Sequence, residues 1–99
     1  MKFKQVWALI RKIPKGKVTT YKEIASVLGT KAYRFIGNAC NKNPYKNVPC
    51  HRVIKSNGQI GGFVRGKREK IKLLKREGVE IVKEKVDLKK YLYKFDGKN

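Results

Sequence analysis

Several residue types are scarce in this chain of 99 residues. It holds two cysteines, Cys40 and Cys50, too few for a disulfide framework, so a reducing, intracellular setting is expected. It holds one histidine, His51. Together Cys40, Cys50 and His51 offer three ligands where structural zinc takes four, so no metal site is expected. Apolar runs are short as well. None approaches the ~18 residues of a spanning helix, and the start MKFKQVWALIRK lacks a long apolar region with a cleavage site, so neither a membrane partner nor a secretory leader is expected. Above all, carboxylates are few: 7 Asp and Glu stand against 26 Lys and Arg, a formal net charge of +19. Such an excess opposes compaction and calls for a polyanionic partner, nucleic acid first.

The apolar residues amount to 40% of the chain, enough for one modest core and one domain over 1–99. Phe3, Val6, Trp7 and Ile10 recur at helical spacing and Pro14 ends that helix. Thr20 and Glu23 read as a capping box, each satisfying an orphan N–H of the other's end. The helix that follows buries Tyr21, Ile24, Ala25 and Leu28 and stops at Gly29. A turn of two or three residues leads to a third helix with Ala32, Phe35, Ile36, Ala39 and Cys40 on its apolar face. Its opposite stripe, Arg34, Gly37, Asn38 and Asn41, carries one cation, small or amide side chains and no carboxylate. Two helices joined by so short a turn form a helix-turn-helix pattern, and this outer face suits DNA. An ordinary helical hairpin has the same pattern.

Beyond Asn43-Pro44 the character changes. Asn57-Gly58 lies between apolar residues, a hairpin signal that asks positive φ of both central positions, so a small β-hairpin wing is expected. Helical spacing returns over 67–77, with Ile71 and Leu74 inward and Gly78 as the stop. VEIV reads as a short strand, and Asp87 caps a last helix with Leu88, Tyr91, Leu92 and Phe95 on its buried stripe. The expected fold is mainly α with a small β wing, a winged-helix-like single domain. Its core covers 3–78, a strand and helix extension 79–95 and a frayed tail 96–99.

Cys40 sits on an apolar helix face and reads as a buried thiol. Cys50 follows Pro49, precedes His51 and lies among cations. Positive charge and a histidine lower a thiol pKa and favour the thiolate, although adjacent residues on a strand point apart, so His51 reaches Cys50 only at a bend or through water. A reactive thiol and a buried inert one both remain open on these residues alone.

The stretches IPKGKVTTYKEIA, KAYRFIGNACNKNP, VPCHRVIKSNGQIGGF and KLLKREG occur in one order and spacing. Together they resemble the DNA-binding and catalytic domain of the O6-alkylguanine-DNA alkyltransferases, from about Phe3 to Gly78. The resemblance implies an enzyme that moves an alkyl group from a flipped-out guanine to Cys50, with His51 as base through a water and Glu77 orienting the imidazole. Tyr21 would bind and help protonate the purine, and Asn43 would brace the turn carrying Cys50. Arg34 would fill the vacated stack, with Ala32, Tyr33, Gly37, Asn38, Asn41 and Lys22 against DNA and Ser56 on phosphate. Cys40, Val53, Phe63 and Val64 would shape the pocket with Tyr21. It implies single turnover, no metal or other cofactor, and a monomer acting on double-stranded DNA in the cytoplasm.

Four departures accompany the likeness, one being a loop from Asn43 to Cys50 about one residue shorter than in better-known members. Most members carry an additional N-terminal domain, Phe63 stands where many have tyrosine, and Cys40 stands where a larger apolar residue is common. One-domain relatives that bind alkylated DNA without repairing it have lost the cysteine, whereas Cys50 is present here. Recognition without repair and a plain winged-helix DNA-binding protein are the two other functions the sequence allows.

Overall fold

The structure is a computed structural model that describes residues 2–95; the frayed tail expected at 96–99 lies outside the described residues. Helix α1, Phe3–Ile10, buries Val6 and Ile10 and is tied to the third helix by Trp7, whose indole N–H donates to the Ala39 carbonyl at 2.9 Å. Strand β1, Thr19–Thr20, runs directly into α2, Tyr21–Val27. The Thr20 hydroxyl accepts from the Glu23 N–H at 3.1 Å, which is one half of the expected capping box. Gly29 takes φ +67°, and the Thr30 hydroxyl accepts from the Ala32 N–H at 3.1 Å, setting the entry to α3, Tyr33–Asn41. Ile36, Ala39 and Cys40 are buried while Arg34, Asn38 and Asn41 face outward, so the two stripes read from the sequence separate as expected.

After α3 the chain makes a tight turn at Pro49, where the Cys50 N–H donates back to the Val48 carbonyl at 2.9 Å. A single 3₁₀ turn, Cys50–Arg52, then leads into β2, Val53–Ile54. The partner of β2 is β1, in parallel, with Thr19 opposite Val53 and Thr20 opposite Ile54. The small sheet is therefore not closed by a hairpin. At the expected hairpin turn only Gly58 has positive φ, at +89°. The loop runs through three residues, closed by the Gly58 N–H to the Lys55 carbonyl at 2.9 Å and the Lys55 N–H to the Gln59 carbonyl at 3.0 Å. This is the longer-loop geometry with glycine in the left-handed position. The two-residue turn with both positions left-handed occurs instead at Lys83 (φ 52°) and Glu84 (φ 62°), where neither side chain signals it.

Helix α4, Lys67–Arg76, buries Leu74 and also Lys70, and Gly78 follows with φ +92°. VEIV is not a strand: Val79 is buried, while Val82 pairs only across its own turn with Lys85. The backbone opposite is already taken, because Ile60 donates to the Glu84 carbonyl and Val86 to the Gly58 carbonyl. Helix α5 is shorter than the expected stripe, Leu88–Tyr91, with the Asp87 carboxylate accepting from the Lys89 N–H at 3.0 Å. It ends there because Val18 captures the next stretch: its N–H donates to the Tyr91 carbonyl at 2.9 Å and its carbonyl accepts from Tyr93 at 2.7 Å. Two buried clusters result. One, with Val6, Ile10, Ile24, Ile36 and Cys50, lies under α1 to α3. The other, with Val18, Ile54, Leu74, Val86 and Tyr91, joins β1 and β2 to α4 and the C-terminal segment. Cys50 sits at the edge of the first, between the helix-turn-helix and α4.

Candidate active site

The 3₁₀ turn supplies the bend that brings Cys50 and His51 into one place. Its start is fixed by Asn43, just past the end of α3. The Asn43 amide N–H₂ donates to the Val48 carbonyl at 2.8 Å and to Cys50 Sγ at 3.2 Å, while its carbonyl oxygen accepts from the Tyr45 N–H at 2.9 Å. Asn43 thus closes the loop and places a donor on the sulfur.

Behind Cys50 stands a carboxylate with three bonds. Glu77, the C-cap of α4, meets His51 Nε2 at 3.0 Å and receives Arg52 Nε at 2.9 Å and Nη2 at 2.6 Å. Arg52 Nη1 continues to the Ile13 carbonyl at 2.7 Å. Partial burial pushes the Glu77 carboxyl up, but the bonds from Arg52 and His51 outweigh it and hold it below the usual range. An ionised carboxylate only accepts, so Nε2 carries the imidazole proton and Nδ1 keeps its lone pair. Burial lowers the His51 pKa against the pull of Glu77, so the ring is neutral at pH 7 and free to take a proton.

The sulfur itself is poised. The neighbouring Cys40 thiol does most to lower the Cys50 pKa; burial raises it, and the Asn43 bond and the charge of Lys70 lower it further. Lys70 is almost fully buried, 1% exposed. Its ammonium donates to the Val53 carbonyl at 2.7 Å and the Gly62 carbonyl at 3.0 Å, and burial brings its pKa down to about 8. Tyr21 packs against the same cluster. Burial and the two nearby thiols raise its pKa to about 12, so its hydroxyl keeps its proton.

Beside these groups lies a pocket of about 500 Å³ lined by Cys40, Asn43, Tyr45, Cys50, His51 and Phe63, with Val64 and Arg65 on its rim. Of the residues read from the sequence as pocket-forming, Cys40, Phe63 and Val64 line it, whereas Val53 is wholly buried beneath with its carbonyl given to Lys70. Tyr21 is half-buried beside the thiols rather than in the wall. Glu77 reaches the site through His51. Arg34, Asn38, Asn41 and Tyr33 lie exposed on α3, Lys22 exposed on α2 and Ser56 exposed in the loop after β2, while Ala32 and Gly37 are half-buried.

Two site residues escaped the sequence reading. Arg52 holds Glu77, and Lys70 faces the thiols from α4. Lys70 falls one turn before Leu74 on the inward stripe, which was its one available signal. Charge alone hid it among 26 cations. Among the described residues no group of three or more His, Cys, Asp or Glu is placed to hold a metal ion, and no helix is long and apolar enough to cross a membrane.

Against known proteins, residues 2–79 match the family model described as 6-O-methylguanine DNA methyltransferase, DNA binding domain. That stretch includes Cys50, His51 and Glu77. The chain is 53% identical over 77 residues to a methylated-DNA–protein-cysteine methyltransferase of Saccharolobus solfataricus, covering 77% of this chain and 50% of that protein. It is 40% identical over 93 residues to a bifunctional methyltransferase/endonuclease of Picrophilus torridus, covering 92% of this chain and 31% of that one. The chain thus spans half or less of the length of these curated relatives. Among solved structures, Atl1 of S. pombe in complex with damaged DNA containing O6-carboxymethylguanine superposes with a TM-score of 0.83 at 36% identity, covering 93% of this chain and 94% of that one. The sequence landmarks, the helix-turn-helix and these matches agree, and the chain belongs to the O6-methylguanine-DNA methyltransferase family through its DNA-binding domain.

Proposed function

We propose that this protein repairs alkylated DNA directly, moving the alkyl group from O6 of guanine to Cys50. The observation that carries the reading is the arrangement at Cys50: a sulfur at the pocket floor, bonded by Asn43 at 3.2 Å, next to a neutral His51 held by Glu77 at 3.0 Å. His51 Nδ1 takes the thiol proton through a water, and the thiolate attacks the alkyl carbon. The carbon–O6 bond breaks and its electron pair returns to the purine. Tyr21, still protonated, hands its proton to the departing purine to leave ordinary guanine and is reprotonated through solvent, which takes up the proton that His51 received from Cys50. The product is a thioether, which does not revert, so each molecule acts once. No metal or other cofactor enters the balance.

The α3 face supports a DNA partner. Gly37 lies inside that helix, where glycine costs ~0.5–1 kcal/mol relative to alanine, yet nothing of this chain stands within 4 Å of where its Cβ would be. The face is open at that point and allows close approach of a partner. We assign Arg34, on the same stripe, to the stack vacated by the flipped base, with Tyr33, Asn38 and Asn41 against the groove, Lys22 and Ser56 on the backbone, and Ala32 giving close approach.

A second reading, recognition without transfer, is favoured by one observation: the match to Atl1 extends over nearly the whole of both chains. The two readings separate on the DNA product. A duplex with O6-methylguanine, incubated with equimolar protein and digested to nucleosides, yields guanine in place of O6-methylguanine up to one equivalent if transfer occurs. Unchanged O6-methylguanine with tight binding supports recognition alone.

A further inference from the structure

Tyr45 lines the pocket beside Cys50, and the transfer of a methyl group gives it no task. It is 48% exposed, yet its place is fixed from several sides. Its N–H donates to the side-chain carbonyl of Asn43 at 2.9 Å, and the amide of the same Asn43 reaches Cys50 Sγ at 3.2 Å. Its own carbonyl accepts from the Val48 N–H at 3.4 Å, two residues before Cys50. Arg11, just past the end of α1, lies over its ring, 5.7 Å from the centroid, and Trp7 meets it at 5.5 Å and an angle of 80°. One asparagine therefore sets the positions of both the nucleophile and an aromatic ring. Phe63, on the same pocket, is braced alike, with Arg65 5.6 Å from its centroid. A ring already held in place gives up little freedom when a ligand settles on it.

The pocket also holds more than a methyl group uses. Its volume of about 500 Å³ lies in the range of sites that enclose drug-sized ligands, ~300–1,000 Å³. Resting on the alkyl-transfer reading, we infer that Tyr45 is a specificity-determining residue whose ring forms an apolar wall beside Cys50, seating the aryl part of an O6-arylmethylguanine. In that reaction the thiolate bonds to the arylmethyl carbon, the carbon–O6 bond breaks, and its electron pair returns to the purine as in methyl transfer. The aryl ring stays beside Tyr45 from binding to thioether, so the contact raises affinity and the rate at low substrate alike. A methyl group offers no ring to make it. An aromatic pair adds roughly two- to tenfold beyond the area it buries.

The test compares duplexes carrying O6-benzylguanine or O6-methylguanine, with the intact chain, Tyr45→Phe and Tyr45→Ala. Second-order rate constants for loss of each adduct, read by nucleoside analysis, give a benzyl-to-methyl ratio. Comparing ratios between variants cancels the intrinsic reactivity of the benzylic carbon and any effect of Tyr45 on the loop or the duplex. Tyr45→Ala lowers the ratio about fivefold or more, and Tyr45→Phe keeps it. Should Tyr45→Ala fold poorly, Tyr45→Leu keeps apolar bulk against Trp7 without a ring and lowers the ratio likewise. An unchanged ratio in the Ala or Leu variant overturns the inference, as does a Phe ratio that falls like Ala. If the parent transfers neither group, the alkyl-transfer reading falls, and affinities for the same two duplexes by fluorescence anisotropy decide the inference. A benzyl preference in binding that is lost in Tyr45→Ala then sustains the aromatic wall, and equal preferences overturn it.

Discussion

Glu77 accepts three hydrogen bonds, and all of them depend on its charge. Its folded-state pKa lies below the ordinary carboxylate value, so the unfolded chain takes up the proton first as pH falls. The contribution is complete above the unfolded value of about 4.3 and is lost as pH drops through the lower folded value. Urea denaturation of the parent therefore shows a loss of stability below about pH 4 that is reduced in Glu77→Gln; parallel pH curves for the two proteins would contradict this. The same residue marks what the sequence could convey. Cys50, His51 and Glu77 were legible through a pattern of landmarks spread over the chain, not through adjacency. Arg52 and Lys70 were not, because only packing distinguishes a buried cation that bonds carbonyls or a carboxylate from an exposed one.

At the scale of elements, helical periodicity transmits well and strand pairing does not. Helices α1, α2, α3 and α4 lie where apolar spacing put them, since each buries a stripe that repeats locally. The sheet depends on partners distant in sequence: β2 pairs with β1, and 58–60 with 84–86, so Asn57-Gly58 marked the local turn closed between Lys55 and Gln59 but not the C-terminal segment packed against it. Gly58 is required for a long-range reason. Beyond φ +89°, a Cβ there would lie 2.8 Å from the Val86 carbonyl oxygen. Gly29 also has positive φ, at +67°, but stands in open space. Gly58→Ala should therefore cost clearly more than Gly29→Ala, whose cost is about 1 kcal/mol, in chemical denaturation; equal costs would show that the docking of 84–86 on the loop is not what fixes it. For α3, Arg34→Ala should weaken transfer from duplex DNA far more than reaction with free O6-benzylguanine, compared as rate constants. Equal losses would remove the helix from the DNA-contact account.

On the whole molecule a net charge of +19 acts through every phosphate contact. Neutralising phosphates releases counterions, so log affinity for duplex DNA falls linearly with log salt, with a slope of about −0.9 per phosphate contacted. A fluorescence-anisotropy titration from 50 to 200 mM salt, the range over which 6–10 contacts lose roughly 10³–10⁵ in affinity, should show a steep slope; a flat response would mean that the cations are only a solvated surface. On the proposed reading, charge brings the chain to DNA, α3 offers the open face, and the bend at Cys50 presents the sulfur. The central claim is that this sulfur accepts the alkyl group. Intact mass spectrometry after incubation with an O6-methylguanine duplex tests it most directly. The predicted result is a gain of one methyl group, mapped to Cys50 and absent from Cys50→Ser. Stable binding with no change in protein mass would contradict it.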